Sequence, residues 1–141
     1  MIIDASVLVA IFRSTDVHYA IGLEFLEAAV ATQRDLHIPN LALPEVAGVF
    51  VRHTGDAQLA NRTIRAVLAL PRMQRHECAD ALADRAAALA SRCRLRGADA
   101  VYVSLAELLD VPLISLDQEI LERAKRVVTA QTPQRWLHDN S

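Results

Sequence analysis

Cysteine, glycine and proline are all scarce in this chain of 141 residues, which has two, four and five of them. Cys78 and Cys93 fall in what reads as one continuous helix, 15 residues apart. That is about 22 Å at helical rise, beyond the reach of a disulfide, so the two thiols read as small buried hydrophobes. Neither belongs to a CxxC pair, and His18, His37, His53, His76 and His138 are scattered without ligand spacing. This argues against zinc and leaves oxygen as the donor for any metal. Aromatic residues make up only 4%, too few for the stacking platform that single-strand binders use. The apolar run Val7 to Phe12 is too short to cross a bilayer and follows no basic segment of the kind a signal peptide carries, so no membrane association and a cytoplasmic location are expected. No GxGxxG or GxxxxGK[ST] is present to cradle a nucleotide. With no repeat, linker or low-complexity tract, residues 1–141 read as a single domain able to bury about two-thirds of its unfolded surface.

What the chain does have is a set of spaced acids in apolar surroundings. The clearest stretch runs from Arg96 to Asp117. Apolar residues at 98, 101, 105 and 108 follow Gly97 with helical spacing, and Val111 to Leu116 is a short apolar run entered through Pro112. The pattern predicts helix, tight turn and buried strand, with Asp99 in the first helical turn and Asp117 at the strand exit. Each acid alone also has an ordinary explanation, Asp99 through the helix dipole and Asp117 as cap of a helix from Gln118 to Lys125. At the N-terminus, Ile2-Ile3-Asp4 is a strand-like run ending in an acid, followed by an apolar helix from Ala5 to Phe12. Asp4 is the only charged side chain before Arg13. Such a carboxylate needs either the amides of the following helix or a cation.

Between these landmarks the chain alternates. His18 to Gln33 reads as an amphipathic helix whose wide apolar face (Ala20, Leu23, Phe25, Leu26, Ala29, Val30) suits either core packing or a docking surface. Leu36 to Pro39 reads as a strand and Asn40 as the cap of the next helix, Leu41 to Val51. That helix carries one acid, Glu45, and no base. An acid so isolated is either buried with a partner, aimed into a polar site, or a snorkelling surface residue. A helix from Asp56 to Leu70 follows, then an apolar-poor stretch, Arg72 to His76, that suits an edge strand. Cys78 to Leu95 reads as a long helix. Its closing Arg92, Arg94 and Arg96 fit a helix C-terminus or the mouth of an acidic site. Val127 to Thr129 is expected to form a last strand, and Thr132 to Leu137 closes the chain.

Alternating strands and helices argue for an α/β fold with a central parallel sheet covered by helices on both faces. Ligand sites in such sheets lie beyond the carboxyl ends of the strands, where Asp4 and Asp117 fall. Gathered carboxylates raise one another's pKa values, and a divalent cation relieves that strain. Mg²⁺ or Mn²⁺ takes hard oxygen ligands and is commonly completed by substrate phosphate. Such an ion would supply the chemistry for cleaving a phosphodiester.

The ordered set Ile3-Asp4-Ala5-Ser6, Pro44-Glu45-Val46, Ala98-Asp99-Ala100-Val101-Tyr102 with Ser104-Leu105-Ala106, and Leu113-Ile114-Ser115-Leu116-Asp117 resembles the PIN-domain ribonucleases. Within that family it is most similar to the single-domain VapC-type toxins of toxin-antitoxin pairs. The resemblance implies a PIN-like three-layer sandwich with about four to five short strands. It also implies a Mg²⁺- or Mn²⁺-dependent endoribonuclease with Asp4, Glu45, Asp99 and Asp117 as catalytic metal-binding residues, and Ser6 and Ser115 as supporting hydroxyls. An RNA substrate, a cognate antitoxin seated on the 18–33 face and the helix after Asp56, and a homodimer follow from it too. The resemblance sits better than two other families with acids at strand exits. A receiver-type phosphoacceptor needs a lysine in a late loop, but Lys125 is the only lysine and falls in a helix; a dehalogenase-type phosphatase needs an acid where Ser6 stands. The alternative function is a non-catalytic PIN-like module acting through protein partners, although such a module would be expected to lose at least one acid. The net charge of -2 is compatible with RNA: setting the four acids aside leaves 13 acids against 15 bases, a balance of +2.

Overall fold

The computed structural model describes residues 1–141. The elements alternate as β1 (Ile2–Ile3), α1 (Ala5–Phe12), α2 (Tyr19–Ala31), β2 (Leu36–Pro39), α3 (Ala42–Thr54), α4 (Ala57–Leu68) and β3 (Met73–His76). They continue as α5 (Asp80–Cys93), α6 (Gly97–Leu109), β4 (Leu113–Ile114), α7 (Gln118–Ala124), β5 (Ala130–Gln131) and α8 (Pro133–Asp139). The five strands form one sheet in the order β3-β2-β1-β4-β5, every neighbouring pair parallel. Helices cover both faces, giving a three-layer α/β sandwich. No helix is long and apolar enough to cross a membrane.

Short strands suffice because the central ones are wholly inside. Ile2 and Ile3 of β1, and Leu113 and Ile114 of β4, are buried, as expected of parallel strands covered on both faces. Helix α6 is buried continuously from Asp99 to Ala106. A helix apolar on every side has no wet face, and this one lies against β1, β2 and β4 with α5 packed over it. β3 is indeed the edge strand, and its two adjacent exposed polar residues, Gln74 and Arg75, suit that position.

Local sequence signals explain most boundaries. Asp56 caps α4 by accepting from Leu59 N–H at 2.9 Å, and Thr132 caps α8 with Pro133 at the first helical position. Pro44 lies in the first turn of α3, where its missing N–H costs nothing. That helix runs past Val51 to Thr54 and is stopped by Gly55 in the left-handed region, φ 68°.

Three expectations need correction, and one open alternative is decided. Asn40 does not cap α3: its N–H is engaged by the His76 carbonyl in an extension of the sheet, the helix begins after Leu41, and the Asn40 side-chain oxygen is buried without a partner. The last strand is not Val127 to Thr129 but Ala130–Gln131. The chain leaves α7 through a turn in which Val127 and Val128 N–H both donate to the Ala124 carbonyl, which delays the strand. Cys78 precedes α5 and is exposed, and Cys93 is half-buried, so neither is a buried core hydrophobe. Of the two readings of the broad apolar face of α2, core packing holds for most of it: Phe25 and Ala29 are buried, α1 and α8 pack on it, and Ala20 and Val30 stay exposed.

The seat of α8 on α2 is the edge-on contact of Trp136 with Phe25, ring centroids 5.2 Å apart at 84°. Both rings are buried. Trp136→Ala is expected to cost about 3–5 kcal/mol in urea unfolding; a loss under about 1 kcal/mol would mean that α8 does not depend on this contact.

Candidate active site

Strand order reverses direction at the β1–β4 pair, the topological switch point at which open parallel sheets form their ligand crevices. β1 ends at Ile3 and delivers Asp4; β4 ends at Ile114 and delivers Ser115 and, two residues on, Asp117. The ladder continues through Asp4 N–H, which donates to the Ile114 carbonyl at 3.0 Å, so the two strand exits are fixed side by side.

Asp4 is only 5% exposed. It stands at the N-cap position of α1 yet makes no side-chain capping bond, so the capping explanation for this residue fails. Its Oδ2 instead accepts from two hydroxyls, Ser6 Oγ and Ser115 Oγ, the latter at 2.8 Å. The hydroxyl oxygens in turn accept from the β4–α7 connection, Ser6 Oγ from Leu116 N–H and Ser115 Oγ from Asp117 N–H, both at 3.0 Å. The two serines thus hold one carboxylate and the loop carrying another. Neither engages Oδ1 of Asp4. Burial pushes the Asp4 carboxyl above the ordinary range, and the two hydroxyls only partly offset it.

Asp117 does cap α7, its Oδ1 accepting from Glu119 N–H at 2.8 Å and Ile120 N–H at 3.3 Å. The cap uses one oxygen. The other, Oδ2, accepts from Arg96 Nη2 at 2.6 Å. Partial burial raises the Asp117 pKa, but the two amides and Arg96 outweigh it and hold the carboxyl below its usual value.

Asp99, 7% exposed in the first turn of α6, accepts from Arg96 Nε at 2.7 Å. Burial raises its pKa in spite of that partner. One turn further on, Tyr102 O–H donates to Glu45 Oε2 at 2.6 Å, reaching from α6 to α3. Burial, then the opposing hydrogen bond, then the charges of Asp4 and Asp99 leave Glu45 raised as well. Its own burial, then the charges of Glu45 and Asp4, push the Tyr102 phenol far above its ordinary value, so it stays a neutral donor.

All four acids line one cavity of about 800 Å³, together with Ser6, Arg96, Arg13, Arg52, His18 and His53. Every acid singled out in the sequence and Ser6 therefore reach this place, while Ser115 stays fully buried behind it and touches Asp4. Arg52 enters by folding back along α3 over Gly48, where an added Cβ would meet its Nη1 at 3.0 Å. Arg13 is paired with Asp16 at 3.0 Å and keeps its Nε buried without a partner. Two side chains at the site had no such contact assigned from the sequence: Tyr102 appears there only inside the Ala98 to Tyr102 motif, with no partner for its hydroxyl, and Arg96 as part of a basic helix end that could lie at the mouth of an acidic site, with no carboxylate named for it. Arg92 is exposed on α5, Arg94 ends that helix at φ 56°, and neither lines the cavity.

The donors fit a hard divalent cation by type: all are carboxylate oxygens, and two of the acids, Asp4 and Glu45, are desolvated with only hydroxyl partners. As the side chains now stand, no three His, Cys, Asp or Glu are grouped so as to hold a metal, and the Arg96 guanidinium spans Asp99 and Asp117.

A PIN domain family profile matches residues 1–127. Ribonuclease VapC3 of Pyrobaculum aerophilum is 29% identical over 134 residues, covering 92% of this chain and 98% of that protein. Two solved structures share the fold. The first is VapC20 of Mycobacterium tuberculosis, a toxin that cleaves the sarcin-ricin loop. Its TM-score is 0.72 at 14% identity, over 86% of this chain and 92% of that one. The second, a toxin-antitoxin complex from Klebsiella pneumoniae, has a TM-score of 0.62 at 20% identity, over 85% and 88%. The switch-point acids, the parallel five-stranded sheet and a profile match across most of the sequence agree: the chain belongs to the PIN-domain family.

Proposed function

We propose that this protein is a metal-dependent endoribonuclease of the VapC toxin type that hydrolyses RNA phosphodiesters. The observation that carries the reading is the convergence of Asp4, Glu45, Asp99 and Asp117, from four separate parts of the chain, on one cavity at the switch point. Its relation to a protein called a ribonuclease supports the same activity.

Asp4, Asp99 and Asp117 are the residues that would hold Mg²⁺ or Mn²⁺, with Glu45 beside them. A bound ion of this kind supplies an activated water and neutralises charge on the reacting phosphate. The chain's own work is positioning. Ser6 and Ser115 fix the Asp4 carboxylate and the Asp117 loop as one unit, and Tyr102 orients Glu45. Arg13 and Arg52 supply positive charge in the same cavity, suited to the phosphates that flank the cleaved bond. Partners in this reading are an RNA substrate, a cognate antitoxin protein and a second copy of the chain. The likeness in fold to a toxin-antitoxin complex supports the antitoxin.

Purified protein is expected to cleave single-stranded or looped RNA in Mg²⁺ or Mn²⁺ and to stop in excess chelator. Asp99→Asn should reduce the rate by at least about 100-fold, the upper end of what loss of a mere outer-shell partner costs, with an unchanged circular dichroism spectrum. Cleavage that persists in chelator would exclude the metal. A folded protein that cleaves no RNA under any metal would favour a binding module.

Glu45 gives a pH test. Its folded pKa is raised, so its contribution to stability is complete below the unfolded carboxylate value and is lost as pH rises through the folded one. Glu45→Gln removes that loss while its amide oxygen still accepts from Tyr102. Without metal, mutant and wild type should melt together near pH 4, about the ordinary Glu value, and the mutant should melt higher at neutral pH. Added Mg²⁺ should raise the wild-type melt and leave the mutant nearly unmoved. A mutant that melts lower at every pH, with or without Mg²⁺, would make Glu45 a structural residue.

A further inference from the structure

Arg96 is the one cation hydrogen-bonded to the acid cluster, and the way it is held bears on how the site is loaded. Its guanidinium does not fork onto one carboxylate. Nε goes to Asp99 Oδ2 and Nη2 to Asp117 Oδ2, so it joins the first turn of α6 to the N-cap of α7. On Asp117 the other oxygen is committed to the amides of α7. Oδ2 is therefore the oxygen that Asp117 has left for a cation, and Arg96 sits on it.

The arginine is also easy to remove. Its side chain is 59% exposed, and its only hydrogen bonds are those two ion pairs. It stands at the N-cap of α6 without a side-chain capping bond. Withdrawal into solvent would break no core packing, whereas Asp4, Asp99 and Tyr102 around it are buried.

We infer that Arg96 is the resident counter-cation of the site: it holds Asp99 and Asp117 in the metal-free protein, and a divalent ion binds only by displacing it from both. Arginine and metal are then alternative occupants of the same two oxygens. Binding of one excludes the other, and metal loading frees a guanidinium at the cavity mouth, where a substrate phosphate could take it up. The inference rests on the metal-binding reading proposed above.

The test is calorimetric titration of Mn²⁺ into wild type, Arg96→Ala, Arg96→Gln and Arg96→Lys, with thermal melts of each in chelator and in saturating Mn²⁺. With the competitor gone, Arg96→Ala and Arg96→Gln should bind Mn²⁺ about tenfold more tightly, within the usual range of coupling between two ligands. Arg96→Lys, which keeps a charge but loses the fork, should fall between them and wild type. In chelator the two uncharged variants should melt below wild type, and in Mn²⁺ the gap should close. Arg96→Gln keeps side-chain bulk and donors, so the test stands if the alanine variant folds poorly. Equal or weaker Mn²⁺ affinity in the uncharged variants, or a melting deficit unchanged by Mn²⁺, would make Arg96 a plain staple between α6 and α7 and overturn this inference alone. If neither wild type nor any variant binds Mn²⁺, the metal-binding reading falls together with it.

Discussion

The burial of one carboxylate governs the arrangement. Asp4 follows the innermost strand and is almost wholly removed from water, a position that is costly for a charge unless polar groups meet it. The chain answers with two hydroxyls that have no other obvious need to be there. Ser115 is itself fully buried, and its Oγ stands between Asp4 and the Asp117 amide; Ser6 does the same between Asp4 and the Leu116 amide. Through these bonds the exit of β1, the first turn of α1 and the β4–α7 connection become one rigid piece. Once that piece is set, α6 brings Asp99 and Tyr102 against it, and Tyr102 draws Glu45 in from α3.

Hydroxyls soften the cost of Asp4 without removing it. Asp4, Glu45 and Asp99 all remain raised in pKa, with burial the largest cause in each. A protein that needed only a stable core at this place would have used apolar residues, since replacing buried charge by well-packed hydrocarbon is often stabilising. Acids raised in this way fit the proposed reading, in which a positive group would relieve them. Asp117 is the exception, held low by amides and by Arg96, and is thus the acid best prepared to stay ionised. In a chain of net charge -2, Arg13, Arg52 and Arg96 line the same cavity as the four acids, so positive side chains stand beside the buried carboxylates.

Much of this was legible in the sequence because strand exits and first helical turns leave clear marks. An acid after a short apolar run, or just behind a glycine that opens a helical pattern, has few places to go in a parallel sheet. Asp4, Asp99 and Asp117 were readable on those grounds, and Glu45 through its isolation in an apolar helix. What was not legible depends on geometry across elements. A tyrosine at a helical apolar position gives no hint that its hydroxyl ends on an acid from another helix. An arginine after a helix reads equally as a dipole partner or as lying at the mouth of an acidic site, and only the packing of the next helix shows which carboxylates it meets. His37 and His76, 39 residues apart, come within 3.1 Å only because β2 and β3 pair in one particular register. Asn40 looked like a cap because caps are local, but the sheet had already claimed its backbone. The displacement of the last strand to Ala130–Gln131 likewise followed from a turn that apolar composition does not report.

The central claim is that the four acids form a cation site in which metal replaces Arg96. Anomalous diffraction from crystals soaked in Mn²⁺ tests it most directly. The account expects a manganese peak in the cavity, bounded by Asp4, Asp99 and Asp117, with the Arg96 side chain turned away from both of its present partners. A cavity without a manganese peak, and with Arg96 still bridging Asp99 and Asp117 in Mn²⁺ that fills other sites on the protein, would contradict it.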